Sequence, residues 1–362
     1  MLSKNNWAET KQKFEDWWRG ENVGRPLMYM PAVLEKPQYP LIDVEDFTTP
    51  EDRYTNVEKA VKRFRNDCAS TEFLAESFPH MSMDFGPGSL ALYLGSTPNF
   101  QWDTVWFREC MHDIGADISF DENNFWWNKH RDTIAKAHEL SGGDFYVNIP
   151  DIVENLDVLA AMRGAEKLLY DIMDEPEAVR AAIKRLDELY FKYYDALYDI
   201  VKDNDGGSSY TAFNIWGQGK TAKVQCDFSC FLSPDQFSEF VVPSLEYQCN
   251  RLDKSLYHLD GPDAIKHLDA LMGIEKLNAL QWMPGAGNPD GGHECWYEIH
   301  DKVRKAGKSI SVFIYDGDLQ DRIASADRLV DRYGTAGLCF VFYHMDIDSA
   351  QYLLEHAQKN WK

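Results

Sequence analysis

The segment Leu256-Tyr257-His258-Leu259-Asp260-Gly261-Pro262 sets an imidazole and a carboxylate two residues apart. In an extended chain such residues share one face, so His258 and Asp260 converge on one point. Histidine nitrogen and carboxylate oxygen are both ordinary zinc ligands, and one further ligand completes a catalytic site that keeps a position open. Two later residues offer it: His344, at the end of the last apolar run, and Cys339, in its middle. Position favours His344. Thiolate affinity for zinc favours Cys339, although a cysteine in mid-strand is more often inert packing. Two other readings of His258 and Asp260 stand beside metal binding: a hydrogen-bonded pair that fixes the loop, and acid–base work without metal.

Other polar or aromatic residues also close apolar runs. Glu76, Asp151, Tyr315 and Asp316 are candidate acid–base or supporting groups, and Trp216, Gln218, Gln281 and Trp282 are candidate substrate contacts; Asp346 follows the last run. Such a set is expected at a ligand site and not in a packed core. Asp227 precedes Ser233 in a loop and reads as a solvated acid, with leaning over the site as the alternative. Cys226 and Cys230 are spaced too widely for the usual metal knuckle and read as core thiols. Lys220 and Lys223 miss the GxxxxGK[ST] spacing of a phosphate loop, which leaves a solvated loop. His293 and His300 have no partner at ligand spacing.

These residues need elements to hold them. Short apolar runs at Leu27–Val33, Glu72–Phe78, Tyr146–Ile152, Ser209–Trp216, Ser255–Gly261, Ala279–Pro284, Ser309–Tyr315 and Gly337–His344 predict eight strands. Helical spacing fills the intervals, at Asn155–Met173, Glu177–Lys202, Gln236–Leu252, Ala264–Met272 and Asp348–Gln358. Ser233 and Pro234 suit the N-cap and first turn of the third of these. Eight strands alternating with helices read as an α/β fold of the (β/α)₈ barrel type, whose chemistry sits at the C-terminal ends of the strands. A doubly wound sheet is disfavoured, because no Gly-rich dinucleotide turn follows the first strand. The chain reads as one domain over residues 1–362, with an insertion over 79–145 that carries Trp102, Trp106, Trp126 and Trp127 and covers one mouth.

The 362 residues hold 37 Lys+Arg against 59 Asp+Glu, a net charge of −22, with 14% aromatic residues. That aromatic content excludes a disordered chain, and the charge has the wrong sign for nucleic acid or an anionic membrane surface. No stretch reaches the roughly 18 apolar residues of a membrane span, and no signal-peptide pattern follows Met1. Seven cysteines without a CxxC pair read as reduced thiols. The expectation is a cytoplasmic protein acting on a small molecule.

Three stretches taken in order resemble the uroporphyrinogen decarboxylase superfamily. Asn155-Leu156-Asp157-Val158-Leu159-Ala160-Ala161-Met162-Arg163-Gly164, leading into Asp174-Glu175-Pro176-Glu177-Ala178-Val179, is similar to its glycine-interrupted helix and following helix start. Leu232-Ser233-Pro234-Asp235-Gln236-Phe237 with Val242-Pro243 looks like its "S-P-x-x-F…P" helix, and His258-Leu259-Asp260-Gly261 stands where the cobamide-dependent methyltransferase branch carries "H-x-C-G". The resemblance, from about Arg25 onward, implies a TIM barrel. It also implies zinc and a corrinoid (methylcobamide) partner protein that supplies the methyl group.

The departures matter for activity. The arginine-rich segment that receives the decarboxylases' substrate is reduced to Gly24-Arg25-Pro26, and Ala75-Glu76-Ser77 replaces their catalytic Asp element, which makes uroporphyrinogen decarboxylation itself an unfavoured reading. Asp260 in place of the middle cysteine hardens the ligand set, which disfavours thiol methylation and suits an oxygenated substrate. A metal-dependent methyltransferase with His258, Asp260 and His344 or Cys339 as ligands is thus the first expectation. Its rivals are a metal-free decarboxylase or lyase on a sugar-like or carboxylated molecule, and a non-catalytic corrinoid-binding protein.

Overall fold

The computed structural model describes residues 4–21, 24–343 and 345–362. Fourteen strands appear among them: β1 Leu27–Val33, β2 Thr71–Ala75, β3 His80–Met81, β4 Thr97–Phe100, β5 Val105–Arg108, β6 Tyr146–Val147, β7 Gly207–Ser209, β8 Trp216–Gln218, β9 Thr221–Val224, β10 Lys254–Asp260, β11 Ala279–Met283, β12 Ser309–Phe313, β13 Leu338–Val341 and β14 Met345–Asp346. The main sheet runs β14-β1-β13-β12-β11-β10-β9, all parallel, with β2 antiparallel on the free edge of β1. A parallel pair β3-β6 reaches the β7-β8 hairpin through one bridge, Ile149 to Tyr210. This is an α/β architecture around a central parallel sheet.

The apolar runs became parallel strands for the expected reason: β10 to β13 are largely buried on both faces. Two of the expected strands differ. Glu72–Phe78 ends early, because Ala75 adopts a left-handed φ of 48° and turns the chain; β2 pairs antiparallel, and the next parallel strand begins at His80. Ser209–Trp216 is a hairpin, with Phe213 and Asn214 both left-handed at its tip (φ 63° and 55°). β9, which carries Lys223, lies where a solvated loop was expected.

The span 79–145 contains β3, the β4-β5 hairpin and the helix Phe125–Ser141. Trp127 is buried against Tyr93 and Tyr193, Trp126 packs on Phe85 and Phe100, and Trp102 and Trp106 face solvent. Helix Asn155–Met173 is two helices, Asn155–Arg163 and Ala165–Asp174, broken at Gly164. Gln236–Leu252 likewise divides into Pro234–Phe240 and Val242–Cys249, and Ser233 forms a capping box with Gln236 at the start of the first.

The helix Trp7–Trp18 closes the end of the sheet from which the parallel strands start. Trp18 Nε1 donates to the Trp216 carbonyl (2.9 Å), and Ser309 Oγ donates to the Trp17 carbonyl (2.6 Å). The C-terminal ends of β9 and β10 open on the opposite side. No helix among the described residues is long and apolar enough to cross a membrane.

Candidate metal centre

β9 and β10 pair with Lys223 beside Leu256 and Val224 beside Tyr257. Alternation therefore puts Lys223, Gln225 and Asp227 on the face that carries His258 and Asp260. Continuing this register beyond β9 brings Asp227 level with Asp260. One ligand atom from each of Asp227, His258 and Asp260 lies within 4.8 Å of the other two. Asp227 is thus a member of the cluster and not the solvated loop acid that its sequence context suggests. The available signal was the alternation Lys223-Val224-Gln225-Cys226-Asp227, polar and apolar by turns, which is the period of a strand with one face on a site.

The imidazole is held in one tautomer. Gln281 Nε2 donates to the Trp282 carbonyl (2.9 Å), which turns Oε1 toward His258 Nδ1 at 2.6 Å. Nδ1 must then be the donor, so neutral His258 carries its lone pair on Nε2. The ring also lies against Phe213, with centroids 4.7 Å apart. Burial, and then the charge of Lys223, lowers the His258 pKa and favours this neutral form.

Asp227 is fixed from behind. Its backbone N–H and that of Phe228 donate to Asp157 (2.9 and 2.8 Å), and Gln225 Nε2 donates to Asp227 Oδ2 (2.9 Å) and to Asp157 Oδ2 (3.1 Å). Gln225 can present its N–H₂ this way because its Oε1 accepts from Lys223 Nζ. Lys223 is not a solvated lysine: it is 2% exposed and also donates to Asp151 Oδ2 at 2.8 Å. Burial pulls its ammonium down, but Asp151 and Glu154 outweigh burial and hold its pKa above the ordinary value.

The surrounding acids are strained as anions. Asp227 keeps a solvent-facing edge, yet enclosure by protein, followed by repulsion from Asp157, raises its carboxyl to about 7, and Asp260 adds to that repulsion. Burial raises Glu154 to about 8, and burial with the charge of Asp151 raises Asp84 to about 7. Two mutually repelling carboxylates beside a neutral imidazole lone pair are what a divalent cation relieves, and three such ligands leave one position for another molecule. The residues present fit a cation.

The other candidate residues lie elsewhere. His344 is outside the described residues. Cys339 shares a ladder level with Ser311, Gln281 and His258, but three strand spacings of about 4.8 Å intervene, and burial raises its thiol pKa. Glu76 sits at the opposite end of the sheet, gripped by Arg25 (2.7 and 2.8 Å), Lys13 (3.0 Å) and the Met28 N–H (3.0 Å). Asp151 joins the network through Lys223 and Tyr210 OH, which donates to it at 3.1 Å. Trp216 is buried on Trp7 and Phe14 at the closed end, where the Gln218 N–H donates to Glu15. Trp282 faces away from Gln281 and packs on Trp296. Asp290 accepts the N–H groups of Tyr315 and Asp316 (2.7 and 2.8 Å), which ties both to their own loop. Asp346 caps the last helix through Ser349. His300 is buried on the Gly291 carbonyl, and His293 caps a short turn.

No protein-family profile matches the sequence, and no curated protein matches it. A solved structure does: a methyltransferase from Methanosarcina mazei, at TM-score 0.61 and 11% identity, over 96% of this chain and 98% of that one. At this identity the likeness is one of fold, extending over nearly the whole length of both chains.

Proposed function

We propose that this chain is a metal-dependent, methyltransferase-like enzyme built as one (β/α)₈ barrel, in which Asp227, His258 and Asp260 hold a divalent cation, zinc in the first instance. The observation that carries the reading is the convergence of three ligand-type side chains at the C-terminal ends of adjacent parallel strands, where barrel enzymes place their chemistry. The fold shared with a methyltransferase supports the reaction class.

When bound, the cation would supply Lewis acidity to an oxygen ligand; a set of two carboxylates and one imidazole is hard and leaves the metal more positive than thiolates do. The chain's own residues prepare the site. Gln281 keeps Nε2 of His258 free to bind, Gln225 aims the Asp227 carboxylate, and Lys223 balances part of the local negative charge. The substrate would be a small oxygenated molecule, with a corrinoid protein as methyl partner.

The test is metal content by mass spectrometry after zinc loading. Wild type should hold one metal per chain, and His258→Ala, Asp227→Asn and Asp260→Asn should each lose most of it. A folded wild type without stoichiometric metal would remove the claim.

A further inference from the structure

A cleft of about 320 Å³ opens beside the cation cluster, and Asp227 belongs to both. Its walls are mainly apolar: Val153, Ala160, Ala161, Phe228 and Phe231, together with Gly88. The polar groups in the wall are already engaged. Asp157 accepts from the Asp227 and Phe228 N–H groups and from Gln225, while the Gln225 amide is shared among Lys223, Asp157 and Asp227. Only the Asp227 end has polar capacity left for a ligand.

From this we infer that the cleft binds the apolar body of a small neutral molecule whose single oxygen reaches the Asp227, His258 and Asp260 centre; the inference rests on the cation reading above. Size sets the class. An apolar cavity of about 150 Å³ accepts benzene, so this cleft takes one substituted ring or a short branched chain. Charge narrows it further: a divalent cation offsets two of the three carboxylates Asp157, Asp227 and Asp260, and the one negative charge left at that end disfavours an anionic ligand. A polyol would leave its remaining hydroxyls unpaired against the alanines and phenylalanines.

The space depends on small residues. Ala160 and Ala161 lie on helix Asn155–Arg163, and both are only half-buried on the cleft side. Gly88 has a φ of +86°, a backbone conformation that L side chains rarely adopt, which keeps a glycine in the wall. Phe231, 61% exposed, forms a rim that an apolar ligand would cover.

The test uses zinc-loaded protein and three probes, benzyl alcohol, benzoate and glycerol, with binding read by ligand-observed NMR and metal content measured on the same samples. Benzyl alcohol should bind at least tenfold tighter than benzoate or glycerol. Ala160→Phe should weaken it at least tenfold with metal retained, and Phe231→Ala, a surface change that leaves the core intact, should weaken it several-fold. Equal binding of the three probes, or binding indifferent to both variants, overturns the cleft assignment. Absence of metal from wild type overturns the cation centre instead, so the two failures are read separately.

Discussion

Lys223 touches neither solvent nor the cluster of ligand atoms, yet it decides which way the Gln225 amide faces. Lys223→Met would release Oε1, let the amide turn, and set an oxygen against Asp227. Supporting contacts of this kind are worth roughly 10–100-fold in metal affinity, and a fall in zinc affinity of that size, measured by competition with a chelator, is the expected outcome. Cys339→Ser should leave the affinity unchanged. His258 and Asp260 were legible in the sequence because two polar residues at period two stand out in an apolar strand. Asp227 was not, because its partners lie about thirty residues away and only the register of β9 against β10 shows that they meet.

Among the elements, the parallel strands β10 to β13 could be read from their short, mostly apolar runs between helical segments, whereas β2 could not be told from a parallel strand. Antiparallel pairing leaves the same half-buried composition, and the turn at Ala75 has no glycine to mark it. Strand β9 escaped because Lys223 and Gln225 look like loop residues unless their charges are known to be paired inside. The interrupted helix at Gly164 is half visible in the sequence: the glycine stands inside the helical spacing, but the spacing itself continues across the break. Gly164 has a φ of +92°, which L side chains rarely adopt, and a Cβ there would run into the Glu109 carboxylate, so a side chain at this position requires movement. Gly164→Ala should cost about 1–3 kcal/mol, the range for a residue forced into an unfavourable backbone region, read as a drop in denaturation midpoint.

Over the whole molecule, charge is placed rather than spread. Glu76 locks the closed end. Burial alone would raise its pKa, but Arg25 and Lys13 outweigh burial and hold it below the ordinary value. Its contribution is therefore present at neutral pH and is lost as pH falls below the ordinary carboxylate range. Glu76→Gln leaves Arg25 buried without its counter-charge and should cost about 3–5 kcal/mol in denaturant unfolding at pH 7.

Asp187 runs the other way. Burial raises it to about 7, against the hydrogen bond from Ser244. The folded state thus holds a proton that the unfolded chain releases near pH 4, so this group makes stability decline between about pH 4 and 7. Asp187→Asn should flatten that decline in melting temperature measured across the interval.

The closing helix has a further consequence, for the order of events during synthesis. Trp17 and Trp18 donate their indole N–H groups to the carbonyls of Ile310 and Trp216, at sequence separations of 293 and 198. The helix must wait until partners some two and three hundred residues later in the chain have been made, and contacts so distant in sequence close slowly. Until then its buried face, with Phe14, Trp17 and Trp18, is left uncovered on the nascent chain, a surface that invites chaperones and, without them, aggregation.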